Sequence, residues 1–423
     1  MTYSYSHKVK GILCGVLISA SQFAISQDIQ TLNIDSCYAM ARRNYPAIKQ
    51  FALIEQSKEF TISNANKSYL PQVSVTAIGG FIGGLPSTSG ETQTSDFQVI
   101  GVGQITQPIW DGGATRTQKD IASAVADVDE ASVEVALYSL RQRVNQIYFG
   151  ILLLDEQKKQ LDTLRKNLNR TLSNVKLSME SGFAYQSDVD EVNAEVLRVE
   201  QNIIATRFTR SGYLEMLSHL TGQTLLESTV LQTPSTAQTQ SLWVKGRPEL
   251  NLYSSQQRLI EFQSNMNKVS NMPKLSLMGF ATFIEPGISL GPSTISNVWV
   301  GGISLSWNTG NLYKTSNNRQ LDKIQMARIN NQQEVFTFNN TLEQKQSNSE
   351  IEKQKAIVSK DKEIVQLKEK ITQSYQLKYK NGLASMSDLL TIIYKESESR
   401  NEKSLHEVQL LLALYNFNTI SGN

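Results

Sequence analysis

The sequence predicts a mixed α and β chain built from two copies of one unit. Each copy is a long antiparallel helical hairpin that carries two β-strands. Three observations predict it: blocks of sequence recur about 200 residues apart, proline-free stretches carry heptad spacing, and four segments of about ten residues alternate between turn-rich borders.

The recurrence is ordered. Gly182-Phe-Ala-Tyr-Gln-Ser-Asp188 matches Gly382-Leu-Ala-Ser-Met-Ser-Asp388, and His219-Leu-Thr-Gly222 matches Thr419-Ile-Ser-Gly422, both at a shift of 200. Tyr45-Pro46 matches Arg247-Pro248, and Leu70-Pro71 matches Met272-Pro273, both at 202. Trp110-Asp111-Gly-Gly113 matches Trp307-Asn308-Thr-Gly310 at 197.

The elements follow in chain order. Residues 1–26 read as a secretory signal peptide: His7, Lys8 and Lys10 precede the apolar Gly11–Ala20, and Ala24-Ile25-Ser26 offers a cleavage site. The first unit spans 27–222. A helix capped near Asp35-Ser36 runs to Ser68, and Pro71 stops it. Barrel-length strands follow at 72–82 and 96–109, joined by a Gly/Ser/Thr loop, and then a helical hairpin at 114–221. Leu137, Leu140, Val144, Ile147, Ile151 and Leu154 start its seam, which continues through Leu161, Leu164, Leu168, Thr171 and Val175. Residues 223–246, rich in Thr, Ser and Gln, form a connecting segment with little regular structure. The second unit, 247–423, has strands at 274–284 and 297–307 and a hairpin at 315–420. Its patchier seam is read at Ile357, Ile364, Leu367 and Ile371. The turns at Gly182 and Gly382 are each followed by Ser-Asp, good chemistry for ending one helix and capping the next. Trp110, Trp299 and Trp307 fall near strand ends, as a membrane-interface girdle requires.

Composition narrows the function. Lys+Arg number 41 against 39 Asp+Glu, so no global charge points to nucleic acid. Cys14 lies in the leader, which leaves Cys37 alone, without a disulfide or a cysteine metal cluster. His219 and His406 occupy different unit positions, each without a second histidine nearby, and read as helix-surface or core residues. No nucleophile elbow, zinc-binding helix or phosphate loop occurs, so neither catalysis nor a cofactor is expected. Outside the leader no apolar run spans a bilayer as a helix. A membrane form must therefore be a closed barrel, which four strands cannot close alone. The other reading of the residues is an exported coiled-coil structural or adaptor protein whose strands form a soluble domain.

The duplicated order of Trp110-Asp-Gly-Gly113, the Gly182 and Gly382 turns and the Pro71 and Pro273 joints resembles the TolC family of outer-membrane efflux proteins. Trp307-Asn-Thr-Gly310 departs from that pattern, which has an Asp-Gly-Gly turn. The resemblance implies a homotrimer in the outer membrane that extends into the periplasm. Four strands per chain would make a 12-stranded transmembrane β-barrel, and the helical hairpins a periplasmic α-barrel. It implies a conduit that takes small molecules or proteins from a periplasmic adaptor (a membrane-fusion protein) and, indirectly, an inner-membrane pump of RND or ABC type. Asp388 matches the family's aspartate at the periplasmic constriction, and Asp188, Asp190 and Glu191 stand at the first-unit equivalent. Gly182-Phe183-Ala184 and Gly382-Leu383-Ala384 resemble the tip that docks an adaptor. Helix capping alone also accounts for Asp188 and Asp388.

Overall fold

The computed structural model describes residues 31–81, 97–234, 246–290 and 293–422, with backbone only at 286–290 and 293–295. The signal peptide expected at 1–26 and the loop expected at 83–95 lie outside these residues, as do 235–245 of the connecting segment.

A short strand β1 (Thr31–Leu32) leads into α1 (Ile34–Asn44), capped by Asn33, whose Oδ1 accepts from Ser36 N at 2.7 Å. The expected single helix to Ser68 is broken at Tyr45-Pro46. Proline brings no N–H and pushes its predecessor out of helical geometry, and Tyr45 sits at φ −66°, ψ 129°. A 3-10 turn and α2 (Gln50–Lys67) then reach the first strand pair, β2 (Gln72–Phe81) and β3 (Phe97–Trp110). Helix α3 (Ala114–Glu180) has 67 residues, about 100 Å at 1.5 Å per residue. The chain returns as α4 (Gln186–Thr221) and crosses β4 (Val230–Leu231). The order then recurs: α5 (Pro248–Val269), β5 (Lys274–Leu290), β6 (Ser293–Ser306), α6 (Thr315–Lys380) and α7 (Met386–Ser421). The second strand pair is longer than the ten or eleven residues expected, reaching Leu290 and starting again at Ser293.

The four long strands form one antiparallel sheet in the order β2-β3-β5-β6, so β3 and β5 join the two halves of the chain. β4 pairs in parallel with β1, which gives the connecting segment a structural anchor that composition did not show. Tyr148 Oη fastens this small sheet: its single O–H lies between Leu32 O at 2.9 Å and Gln232 O at 2.7 Å, within donating distance of both. Arg210 adds Nη1 to Glu227 O at 2.9 Å and Nη2 to Thr229 O at 2.8 Å, and pairs with Asp155.

The main core lies where α1, α3, α4 and α7 meet the β1–β4 strap, around Val144, Tyr148, Phe149, Ile151 and Leu217. A second cluster near the helix tips joins Leu164, Leu168, Val175, Val192, Leu389 and Ile393. The α3 seam is buried at Leu137, Leu140, Val144, Ile147 and Ile151 and again at Leu164, Leu168 and Val175. The α6 seam is not the one read from apolar residues. Ile364, Leu367 and Ile371 are exposed, while Ile351, Gln354, Val358, Asp361, Val365 and Thr372 face inward. Two buried polar side chains of α6 reach α7: Asn340 Nδ2 donates to Ile420 O at 2.9 Å, and Asp361 Oδ2 lies 2.7 Å from His406 Nδ1.

Candidate membrane band and helical tip

Strand register sorts the sheet into two faces, because paired residues share a face and faces alternate along each strand. One face carries Val73, Val75, Ala77 and Phe81 on β2, opposite Ile105, Gly103, Gly101 and Phe97 on β3. It continues through Leu277, Ala281 and Phe283 to Ile303, Trp299 and Asn297. Exposure on the inner strand β5 identifies this as the convex face: Leu277, Ala281, Phe283 and Glu285 stand open, whereas the edge strands β2 and β6 are exposed on both faces. The other face carries Gln72, Ser74, Thr76, Gln104, Thr106, Ser276, Thr282 and Ser304 among its apolar residues. Its β5 members Ser276, Met278, Phe280, Thr282 and Ile284 are all half-buried, as on the concave side of a curved wall.

Aromatic residues bound the convex face. A bulge between Pro108 and Trp110 shifts the register so that Trp110 stands opposite Leu275, on the convex face. Without that extra residue strict alternation would aim Trp110 at the concave side. Trp307, one residue past the end of β6, is exposed two residues beyond Leu305, so Trp110 and Trp307 mark a lower row. Phe81 stands opposite Phe97 at the far ends of β2 and β3, and Phe283 and Trp299 lie on the same face at lower register levels, opposite Gly101 and Ala281. Eight residues separate Trp299 from Trp307, about 26 Å along a strand. That is close to the roughly 25 Å apolar band of an outer-membrane barrel, before strand tilt shortens it. Among the described residues no helix is long and apolar enough to cross a membrane. The sheet also has two open edges, since β2 and β6 each pair on one side.

The turn below the lower row is built on Asp111. Its Oδ1 accepts from Gly113 N at 2.9 Å and Tyr69 Oη at 2.9 Å, and its Oδ2 from Thr115 N at 2.6 Å. Partial burial pushes this carboxyl up, but the bonds from Thr115, Tyr69 and Gly113 outweigh it and hold the pKa at about 2. Gly112 sits at φ +72°, and a Cβ there would lie 2.6 Å from Met272 Cβ. Only glycine makes this turn against the neighbouring joint.

The far ends of the hairpins are twins. Phe183 N donates to Ser178 O at 2.8 Å and Gly182 N to Met179 O at 3.0 Å, while Leu383 N donates to Lys378 O at 2.8 Å and Gly382 N to Tyr379 O at 2.9 Å. Both are Schellman motifs with left-handed glycines at φ +79° and +71°. In such a motif the apolar residue after the glycine usually packs back on its helix. Here it meets Ser178 or Lys378 and stays outside: Phe183 is 88% exposed and Leu383 is 76% exposed. Ala184 and Ala384 are half-buried beside them.

Asp388 and Asp188 occupy the same helix position at the start of α7 and α4. Asp388 Oδ2 accepts from Ser385 N at 3.1 Å and Ser385 Oγ at 2.6 Å, while Asp388 N donates back to Ser385 Oγ at 3.1 Å. The Ser385 bonds, side chain first and backbone second, hold the Asp388 carboxyl below its ordinary range. Asp188 accepts from Tyr185 N at 3.0 Å. Asp190 is exposed and accepts from Gln186 Nε2 at 2.8 Å, and Glu191 is half-buried. Both aspartates therefore cap helices. A cleft between the two tips brings Asp188, Tyr185 and Phe183 beside Tyr379, Lys380 and Ala384. Cys37 is buried in the main core, where burial pushes its thiol up to about 12, so it stays protonated and unreactive.

Residues 37–223 match the family model described as outer membrane efflux protein. No curated protein matches the sequence. Solved structures match over nearly the whole chain. The outer-membrane channel OprN is 15% identical, with a TM-score of 0.67 over 92% of this chain and 89% of its own. The CmeC channel of Campylobacter jejuni is 13% identical, with a TM-score of 0.64 over 92% and 85%. The open-state MtrE channel of Neisseria gonorrhoeae is 12% identical, with a TM-score of 0.64 over 92% and 89%. The resemblance to the TolC family of outer-membrane efflux proteins therefore holds, in sequence over residues 37–223 and in fold over nearly the whole chain.

Proposed function

We propose that this chain is one third of an outer-membrane exit duct. In this reading it serves a tripartite efflux or type I secretion system and passes cargo received from a periplasmic adaptor and an inner-membrane pump. The observation that carries the reading is the convex face: a largely apolar band with aromatic residues toward both ends, on a four-stranded sheet with two open edges. Such a sheet is stable in lipid only when its edges close on other copies. Three copies give the 12 strands of a barrel, with the more polar concave face lining the pore.

The helices carry that pore into the periplasm. Threefold symmetry turns each tip carboxylate into a ring, and capping keeps Asp388 ionised while its side chain stays exposed. Asp388, with Asp188, Asp190 and Glu191, then forms a constriction that favours cations. The exposed Phe183 and Leu383, each beside a small alanine, supply an apolar contact that an adaptor's helical hairpin can pack on. An exported coiled-coil adaptor without a barrel gains no support, because strands from both halves of the chain join one sheet. Energy for transport comes from the pump.

The test is the detergent-extracted protein. A homotrimer that conducts in planar bilayers, and loses cation selectivity in Asp388→Ala, supports the duct. A water-soluble monomer without conductance removes it.

A further inference from the structure

The duct leaves one group of charges unexplained. Within nine residues of the helical end of each strand (63–71, 111–119, 265–273 and 307–315) stand Lys67, Arg116, Lys119, Lys268 and Lys314. The one acidic residue in these windows is Asp111, whose carboxylate is engaged by its own turn. The chain as a whole is nearly balanced, at 41 basic against 39 acidic residues, so this excess is local. None of the five belongs to an ion pair among the described residues. Lys268 reaches only the neutral Asn265 Oδ1, at 3.1 Å. Further along α3 and α6, by contrast, some lysines are paired: Lys158, Lys353, Lys355 and Lys360 each meet a carboxylate three or four residues away.

Position supplies the second observation. The basic residues directly adjoin the lower aromatic row. Trp307 donates from Nε1 to Asn271 O at 3.0 Å, which sets the Lys268 end of α5 against that row. Tyr69, two residues after Lys67, donates to Asp111 next to Trp110. Tyr313, beside Lys314, is 88% exposed. Lys67, Arg116, Lys268 and Lys314 are exposed, and Lys119 is half-buried. Unpaired cations one step outside an aromatic row are the pattern that meets anionic headgroups at a membrane surface.

We infer that these residues form a basic collar that binds anionic phospholipid headgroups of the periplasmic leaflet. The inference rests on the barrel reading above. The collar fixes the depth of the barrel and enriches anionic lipid around its base. Three copies would present 15 such charges in a ring. Each lysine is one headgroup contact, so the preference weakens with salt and with each substitution.

Tryptophan quenching tests it, because Trp110 and Trp307 stand beside the collar. The full-length protein is reconstituted in mixed vesicles in which either phosphatidylglycerol or phosphatidylcholine carries brominated chains. The expected result is stronger quenching by the phosphatidylglycerol label. In Lys67→Gln/Lys268→Gln/Lys314→Gln that preference falls roughly tenfold or more, with the oligomer mass unchanged. Equal quenching by both lipids in the parent protein overturns the collar and leaves the barrel standing. Absence of quenching by either lipid overturns the barrel reading itself. Loss of the preference on adding millimolar inorganic phosphate would assign the site to a soluble anion and overturn the lipid assignment.

Discussion

The two halves of the chain share an element order but are held differently. Helix α3 packs against α1, α2, α4, α5 and α7 and buries Leu, Ile, Val, Tyr and Phe along its length. Helix α6 packs mainly against α7 and α5, and four of its seven buried residues are polar: Asn340, Gln354, Asp361 and Thr372. The first hairpin is a hydrophobic post, fixed further by the β1–β4 strap. The second hairpin is held together internally by directional contacts, such as His406 of α7 with Asp361 of α6 and Arg400 of α7 with Glu369 of α6 and Glu396 of its own helix. Apolar packing resists displacement in any direction, whereas a polar seam exchanges partners at lower cost. The comparison assigns stability to the first hairpin and adjustability to the second.

The largest effect expected from breaking it is in the post. Leu168 of α3 is fully buried in the cluster that α3 forms with α4 and α7. Leu168→Ala should cost about 2–5 kcal/mol, read as a lower unfolding midpoint in detergent. Exposed Ile364→Ala in α6 should cost far less in a monomer. A large cost at Ile364 in the trimer would place that face against a second copy.

The ends of the return helices give a smaller contrast. In the first half Asn44 Nδ2 donates to His219 O at 2.9 Å and Leu220 O at 3.2 Å. In the second half Arg247 Nη1 reaches Thr419 O at 3.3 Å and Ile420 O at 3.2 Å, and its guanidinium also pairs with Glu249. Both residues close the last carbonyls of a helix from just ahead of a proline, one as a neutral amide and one as a cation. Arg247→Ala should cost about 2 kcal/mol and Asn44→Ala about 1 kcal/mol. Equal losses would show that charge adds nothing at this joint.

Asp111 and Asn308 sharpen the comparison at the barrel base. Asp111 collects three donors; Asn308 Oδ1 accepts from Gly310 N at 3.1 Å. The Asp111 pKa is depressed from 3.8 to about 2 in the folded chain. Its stabilisation is therefore complete above pH 4 and lost as pH falls toward 2. Asp111→Asn should cost about 1 kcal/mol at neutral pH and flatten the stability profile between pH 4 and 2. A profile unchanged by the substitution would move acid sensitivity to another group.

Much of this was legible in the sequence, and the rest was hidden mainly because it depends on residues far apart in the chain. The hairpin turns and the α3 seam follow from glycine and heptad rules that act locally. The break at Tyr45-Pro46 was equally local and was available from Pro46. What local pattern could not show was polar residues buried by distant partners. Asp361 faces inward because His406, 45 residues away, meets it. The α6 seam therefore could not be found by looking for apolar residues. The β1–β4 pairing depends on Tyr148 and Arg210 reaching across the fold, and the convex aim of Trp110 depends on a bulge that alternation alone hides. The roles of Asp188 and Asp388 were legible as caps; a pore-lining role needs symmetry that one chain does not contain.

The smallest predicted effect is the most informative about the polar seam. Gln354 is 5% exposed. Its Nε2 donates to Glu350 Oε1 at 2.9 Å, but its Oε1 is buried without a partner. An unsatisfied buried carbonyl costs more than the bond on the other end of the amide returns, because Glu350 can turn to water. Gln354→Met, close in volume, should therefore raise the unfolding midpoint slightly, by up to about 1 kcal/mol. Such a gain would mean the second hairpin gives up stability at this position for a polar seam that can shift. A loss instead would mean Gln354 finds a partner in the assembled protein, making the seam a specific joint rather than a loose one.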